Sequence, residues 1–164
     1  FFVCLWGHAR GLFFFLASAS SFSSCSLSFI YKASDESDTV GTLQDDDDLT
    51  VAVAANEIGV GLLLARWEET NGGASDIHVT FTAPAAAAGG FRDLASLSST
   101  IINAFAADFL YSVGASQISA MGIKVFLVNG ANAGNLTFQW AQNVANANAT
   151  KMLKGSTLIY MRLA

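Results

Sequence analysis

Proline, cysteine and charge are all scarce in this chain. Pro84 is the one proline among 164 residues, so turns must be built by Gly, Asn, Asp and Ser. The two cysteines, Cys4 and Cys25, both lie in the first thirty residues. The remainder therefore has no disulfide framework and no CxxC metal pattern, while a Cys4–Cys25 bridge stays open from the sequence. Charged residues make up 13% of the chain, against about 25% in an ordinary soluble domain. Eight scattered basic residues face thirteen acidic ones, for a net charge of −5. With no basic stripe to neutralise phosphates, the pattern argues against nucleic-acid binding. Long apolar runs are missing as well. Gly7, His8 and Arg10 break the first half of the N-terminal segment and serines dilute the second, so no run reaches the roughly 18–20 residues of a membrane-spanning helix.

Hydrophobic residues, at 52%, are abundant. Such a bland surface suits a chain whose outside is covered by partner subunits, and it also suits a secreted or membrane-linked protein. Residues 1–30, FFVCLWGHARGLFFFLASASSFSSCSLSFI, are rich in Phe and Ser. The preferred reading is an apolar arm, with Phe13, Phe14 and Phe15 at its centre, that docks on a neighbouring subunit. An apolar tail exposed alone would aggregate, so this reading requires a partner. The alternatives are a signal or anchor segment, or a stretch poorly known in the source sequence. Residues 31–48 read as a polar linker. The boundary then falls at residues 40 and 41, with an arm and linker over 1–40 and a β domain over 41–164.

From Leu49 onward the pattern is strands and turns. Leu49, Val51 and Val53 alternate with Thr50, Ala52 and Ala54, the period-two signature of a half-buried strand. Ile58–Trp67 is a longer apolar run. Asn71-Gly72 and Asn129-Gly130 are hairpin-turn signals. Ile77, Val79 and Phe81 share one face of a strand, opposite Asp76, His78, Thr80 and Thr82. Residues 83–97, with their Ala run and Gly89-Gly90, read as a loop. Further strands are expected over 97–103, 104–113, 121–129, 135–141 and 156–163. About eight strands with little helix predict an all-β, antiparallel β-sandwich of jelly-roll-like form, with an extended N-terminal arm.

Candidate chemistry is thin. Asp45–Asp48 offers four carboxylates for Ca²⁺, but neighbours in an extended chain point to opposite sides and cannot converge. The plainer reading is a solvated acidic turn. His78 lacks a GxSxG partner, and Glu57, Glu68 and Glu69 flank turns as surface acids do. The sequence thus predicts no catalytic residues, no cofactor and no metal site. Trp67, Phe138 and Trp140 read as buried or intersubunit aromatics ahead of a sugar-binding platform.

The segments TLQDDDDLTVAVAANE (Thr42–Glu57), DIHVTFTAPA (Asp76–Ala85), AGNLTFQWAQN (Ala133–Asn143) and KGSTLIYMRL (Lys154–Leu163) together resemble a recurrent β domain of tailed-bacteriophage virion proteins, found in head-decoration and fibre-type proteins and in the tips of tail proteins. The resemblance covers roughly residues 40–85 and 123–164. It implies a jelly-roll-like sandwich, commonly a homotrimer, without enzymatic activity. The expected protein is then a capsid decoration or cement protein on the capsid exterior. Its partners would be its own copies, with Leu136, Phe138 and Trp140 in the core or the threefold contact, and the major capsid protein or another virion protein. No nucleic acid and no membrane in the mature particle are expected as partners. The alternatives are a receptor- or glycan-binding tip of a fibre or tail protein, engaging a host-surface glycan, or a secreted β-sandwich binding protein.

Overall fold

Alternation of period two decides which residues face inward. The computed structural model describes residues 25–69, 76–94, 101–102, 104–111 and 118–163. Within them lie twelve antiparallel strands: β1 (Ser26–Tyr31), β2 (Glu36–Asp38), β3 (Gln44–Val53), β4 (Ile58–Glu69), β5 (Ile77–Thr82), β6 (Ala88–Asp93), β7 (Ile101–Ile102), β8 (Phe109–Tyr111), β9 (Ile118–Val128), β10 (Gly134–Gln142), β11 (Thr150–Met152) and β12 (Thr157–Arg162). On β9, Met121, Ile123, Val125 and Leu127 point into the core while Ala120, Lys124, Phe126 and Val128 are exposed.

Two sheets result. The larger runs β1-β12-β4-β9-β6-β7, with β11 joining β2 to β4; the smaller runs β3-β10-β5-β8. Four pairings are nested: β1 with β12, β3 with β10, β4 with β9, and β5 with β8. The chain is therefore one long hairpin, first strand on last, rolled up until β12 meets β4 and β10 meets β5. That winding is the jelly roll. Seven of the eight expected strands fall on the nested β3, β4, β5, β8, β9, β10 and β12 and the eighth, over 97–103, on β7; the nested β1 was not expected, and β2, β6, β7 and β11 widen the larger sheet.

The core lies between the sheets. Trp67, Phe81, Phe138, Trp140 and Tyr160 are wholly buried. Phe81 meets Phe138 at 5.3 Å on its own sheet and Phe91 of the larger sheet at 5.4 Å. Tilted ring pairs of this kind add about 0.5–1.5 kcal/mol beyond their area. Gly59 leaves room for Tyr160: a Cβ there would fall 1.9 Å from the Tyr160 hydroxyl.

Three expectations need correction. Residues 26–38, assigned to the arm and linker, form β1 and β2, which pair with β12 and β11; the sandwich includes them. The pattern SLSFIY carried a period-two signal, but its polar surroundings masked it. The loop expected over 83–97 contains β6, which pairs with β9. Gly and Ala are poor strand formers, yet Gly89 has φ +135° and its Cα lies so close to the Phe126 carbonyl that a Cβ would be 2.1 Å from that oxygen. Close backbone approach is what glycine permits in a strand. The Asp45–Asp48 run is not a turn before a strand but part of β3. Of the strands expected over 97–103 and 104–113, β7 and β8 are short segments; residues 95–100, 103 and 112–117 lie outside the described residues.

Candidate functional site

An antiparallel sheet with one solvated face normally alternates apolar inside with polar outside. On β1 the order is reversed. Ser26 and Ser28 turn inward, where their hydroxyls accept hydrogen bonds from Arg162 Nη1 at 3.4 and 3.0 Å. Leu27, Phe29 and Tyr31 turn outward and are 52%, 65% and 69% exposed. Register carries this apolar surface across the sheet. Phe29 lies opposite Ile159, which lies opposite Leu62; Leu27 lies opposite Met161, Met161 opposite Val60, and Val60 opposite Phe126. Leu64, Leu94, Phe126 and Ile118 are also exposed. A shallow groove of about 360 Å³ runs through the patch, lined by Leu27, Val60, Leu62, Leu94, Ile159 and Met161 among others.

Apolar side chains of four neighbouring strands thus stand exposed on one face, as on surfaces that bind a partner. At one margin Lys124 of β9 stands opposite Arg92 of β6. Like charges directly across a strand pair are destabilising, and a carboxylate brought by a partner would relieve them.

The residues singled out from the sequence fall elsewhere. Leu136, Phe138 and Trp140 are 0% exposed. Of the two roles open to them, the structure assigns the core, so they present nothing to another subunit. Phe13, Phe14 and Phe15, like Cys4, lie outside the described residues. Trp67 is also 0% exposed, so neither Trp67 nor Trp140 offers a glycan platform. The Asp run splits by partner: Asp45 accepts from Gln139 Nε2 at 2.7 Å, Asp48 from the Ala33 N–H at 3.0 Å, and Asp46 is buried beside Lys32. His78 Nδ1 is 3.4 Å from Asp108 Oδ2.

Glu57 and Glu69, expected on the surface, are buried. Glu57 gathers four partners. It accepts from the Tyr160 hydroxyl at 2.9 Å, the Ala54 N–H at 2.9 Å and Arg162 Nε at 3.2 Å, and its carbonyl accepts from the Asn129 N–H at 2.7 Å. Burial first, then the Glu57 hydrogen bond and charge, push the Tyr160 phenol above its ordinary value near 10, with Arg162 offsetting a part. Burial also raises Tyr111, and Asp93 adds to it. For Lys32, burial lowers the ammonium, but the hydrogen bonds to Glu36 and Asp46 and the charges of both carboxylates outweigh it and the pKa is raised. The two phenols hold their protons more tightly folded than unfolded. Their contribution to stability is complete below about pH 10 and declines as pH rises through the folded values. Urea midpoints are expected to be level near pH 8–9 and to fall by about pH 11, and a midpoint that rises over that range would contradict the assignment.

No family model matches the chain, and no curated protein is similar to it. Among solved structures, the chain is similar to the tripod (BppUct-A-L) from the baseplate of bacteriophage Tuc2009, at 10% identity and a TM-score of 0.36, over 96% of this chain and 80% of that one. Among the described residues, no helix is long and apolar enough to cross a membrane.

Proposed function

We propose that this chain is a non-enzymatic structural protein of a tailed-phage virion, a capsid decoration or cement protein that assembles as a homotrimer through the outer face of its larger sheet. The observation that carries the reading is that face: Leu27, Phe29, Tyr31, Leu64 and Phe126 stand exposed on a sheet whose own core lies on the other side. The viral setting rests on the sequence resemblance given above. Attachment to the capsid falls to the Phe-rich segment around Phe13–Phe15, on its sequence alone.

Labelling purified particles with an antibody to residues 76–94 tests the setting. Signal distributed over the head is expected. Signal confined to the tail would move the protein to a fibre or baseplate role, and particles without signal would remove the virion reading.

A further inference from the structure

We infer that Lys32 and Asp46 form an intramolecular isopeptide bond, joining Nζ to Cγ with loss of water and with Glu36 as the proton carrier. The inference goes beyond the structural role proposed above and does not depend on it.

The geometry begins with a bulge. Along β10, Thr137 pairs with Thr50 of β3, but Gln139, two residues on, pairs with Asp45. Between those pairs, the four residues Asp46 to Leu49 of β3 stand against the single Phe138 of β10. Bulges re-aim side chains, and this one turns Asp46 inward, where its side chain has no solvent exposure. Lys32 follows β1 and reaches the same point with a side chain 1% exposed. Its Nζ lies 2.9 Å from Asp46 Oδ2 in a buried ion pair, and Oδ2 has no other hydrogen-bond partner among the described residues. The other oxygen, Oδ1, accepts the backbone N–H groups of Leu49 at 2.9 Å and Asp48 at 3.1 Å. Glu36 Oε2 lies 2.5 Å from Nζ, and Gln44 Nε2 holds Glu36 Oε1 at 3.2 Å.

Each part of an acyl transfer is therefore present. One ammonium proton crosses the 2.9 Å contact to Asp46 Oδ2, so that a neutral amine faces a neutral carboxyl, and Glu36 takes a second proton from the nitrogen as the new bond forms. The amine attacks Cγ, and the charge that develops on Oδ1 falls on two backbone N–H groups already pointed at it, an oxyanion hole. Oδ2 leaves as water, carrying two of the three ammonium protons, the second delivered by Glu36. The Nζ–Cγ bond forms, the Cγ–Oδ2 bond breaks, and Glu36 ends ionised as it began. No oxidant or other reactant is needed. Fixed proximity supplies what an intermolecular amide synthesis lacks. The product ties the end of β1, on the larger sheet, to β3, on the smaller, so tension entering through β1 would meet a covalent bond rather than a row of hydrogen bonds.

Intact-mass spectrometry of the purified full chain decides the matter. The folded wild-type protein is expected to weigh one water less than its sequence, and proteolysis should yield a branched peptide joining Lys32 to Asp46. Glu36→Gln and Lys32→Met, checked for the same β-sheet circular dichroism, should keep the full sequence mass. A folded wild-type chain at full mass, or a lost water mapped to another residue, overturns the bond and leaves an ordinary buried ion pair. A branched peptide persisting undiminished in Glu36→Gln overturns the role of Glu36.

Discussion

Phe138→Ala is expected to lower the unfolding free energy by about 3–5 kcal/mol, the range for deleting a fully buried aromatic. Phe138 has no exposed surface and sits on β10, the strand between β3 and β5. Its ring meets Phe81 at 5.3 Å, and Phe81 in turn meets Phe91 across the sandwich at 5.4 Å. Removing it opens a cavity at the point where the two sheets interlock, and neighbours held by strand pairing on both sides have little freedom to collapse into it. The loss should appear as a lower urea midpoint with the slope unchanged. Phe29→Ala provides the contrast. It deletes the same ring from a position 65% exposed, and the isolated chain should change by less than about 1 kcal/mol. If the two substitutions cost the same, the division between core and outer face drawn here is wrong.

Introducing charge on the outer face is the second large effect. Phe29→Asp combined with Leu64→Asp is expected to weaken self-association by at least about 100-fold, which corresponds to about 2.7 kcal/mol or more. Both side chains are exposed in the single chain, so charge there stays hydrated until a partner arrives. It must then be buried against apolar surface without a counter-ion, which is costly. Folding should be preserved, because neither residue packs in the core. Sedimentation of wild type and variant at matched concentrations separates the cases: trimer for the former and monomer for the latter. A wild-type chain that stays monomeric at high micromolar concentration would exclude the homotrimer and leave the face to a different virion subunit.

The elements most legible in the sequence were the ones with the longest clean alternation. Ile77–Thr82 and Gly134–Gln142 announce their buried faces residue by residue, and β5 and β10 follow them. What escaped was of two kinds. β6 was hidden because its glycines suit a loop by propensity, while their use here is close contact with the β9 backbone, a long-range property. β1 was hidden because Leu27, Phe29 and Tyr31 face outward while two serines and only one apolar residue, Ile30, face in, so an inward-apolar rule finds little reason to place it in the sandwich. The candidate face suffered most from this. The sequence offered Leu136, Phe138 and Trp140 for the core or a threefold contact because they form the strongest apolar stripe; that stripe went to the core, and the exposed apolar face was left to Leu94 and residues from four different strands.

The sequence by itself determined the class of fold. A period of two, turns without proline and scarce charge leave few alternatives to two packed antiparallel sheets, because these are local properties that each segment carries alone. The tertiary structure decided everything that depends on which strand lies beside which. Nested pairing brought Phe29, Ile159 and Leu62 into one row although they are far apart in the chain, and a bulge in β3 brought Asp46 to Lys32. The physical reason is that a strand shows its own two faces in its sequence, but whether the second face meets water, a neighbouring subunit or a lysine is set by partners chosen only when the hairpin rolls up.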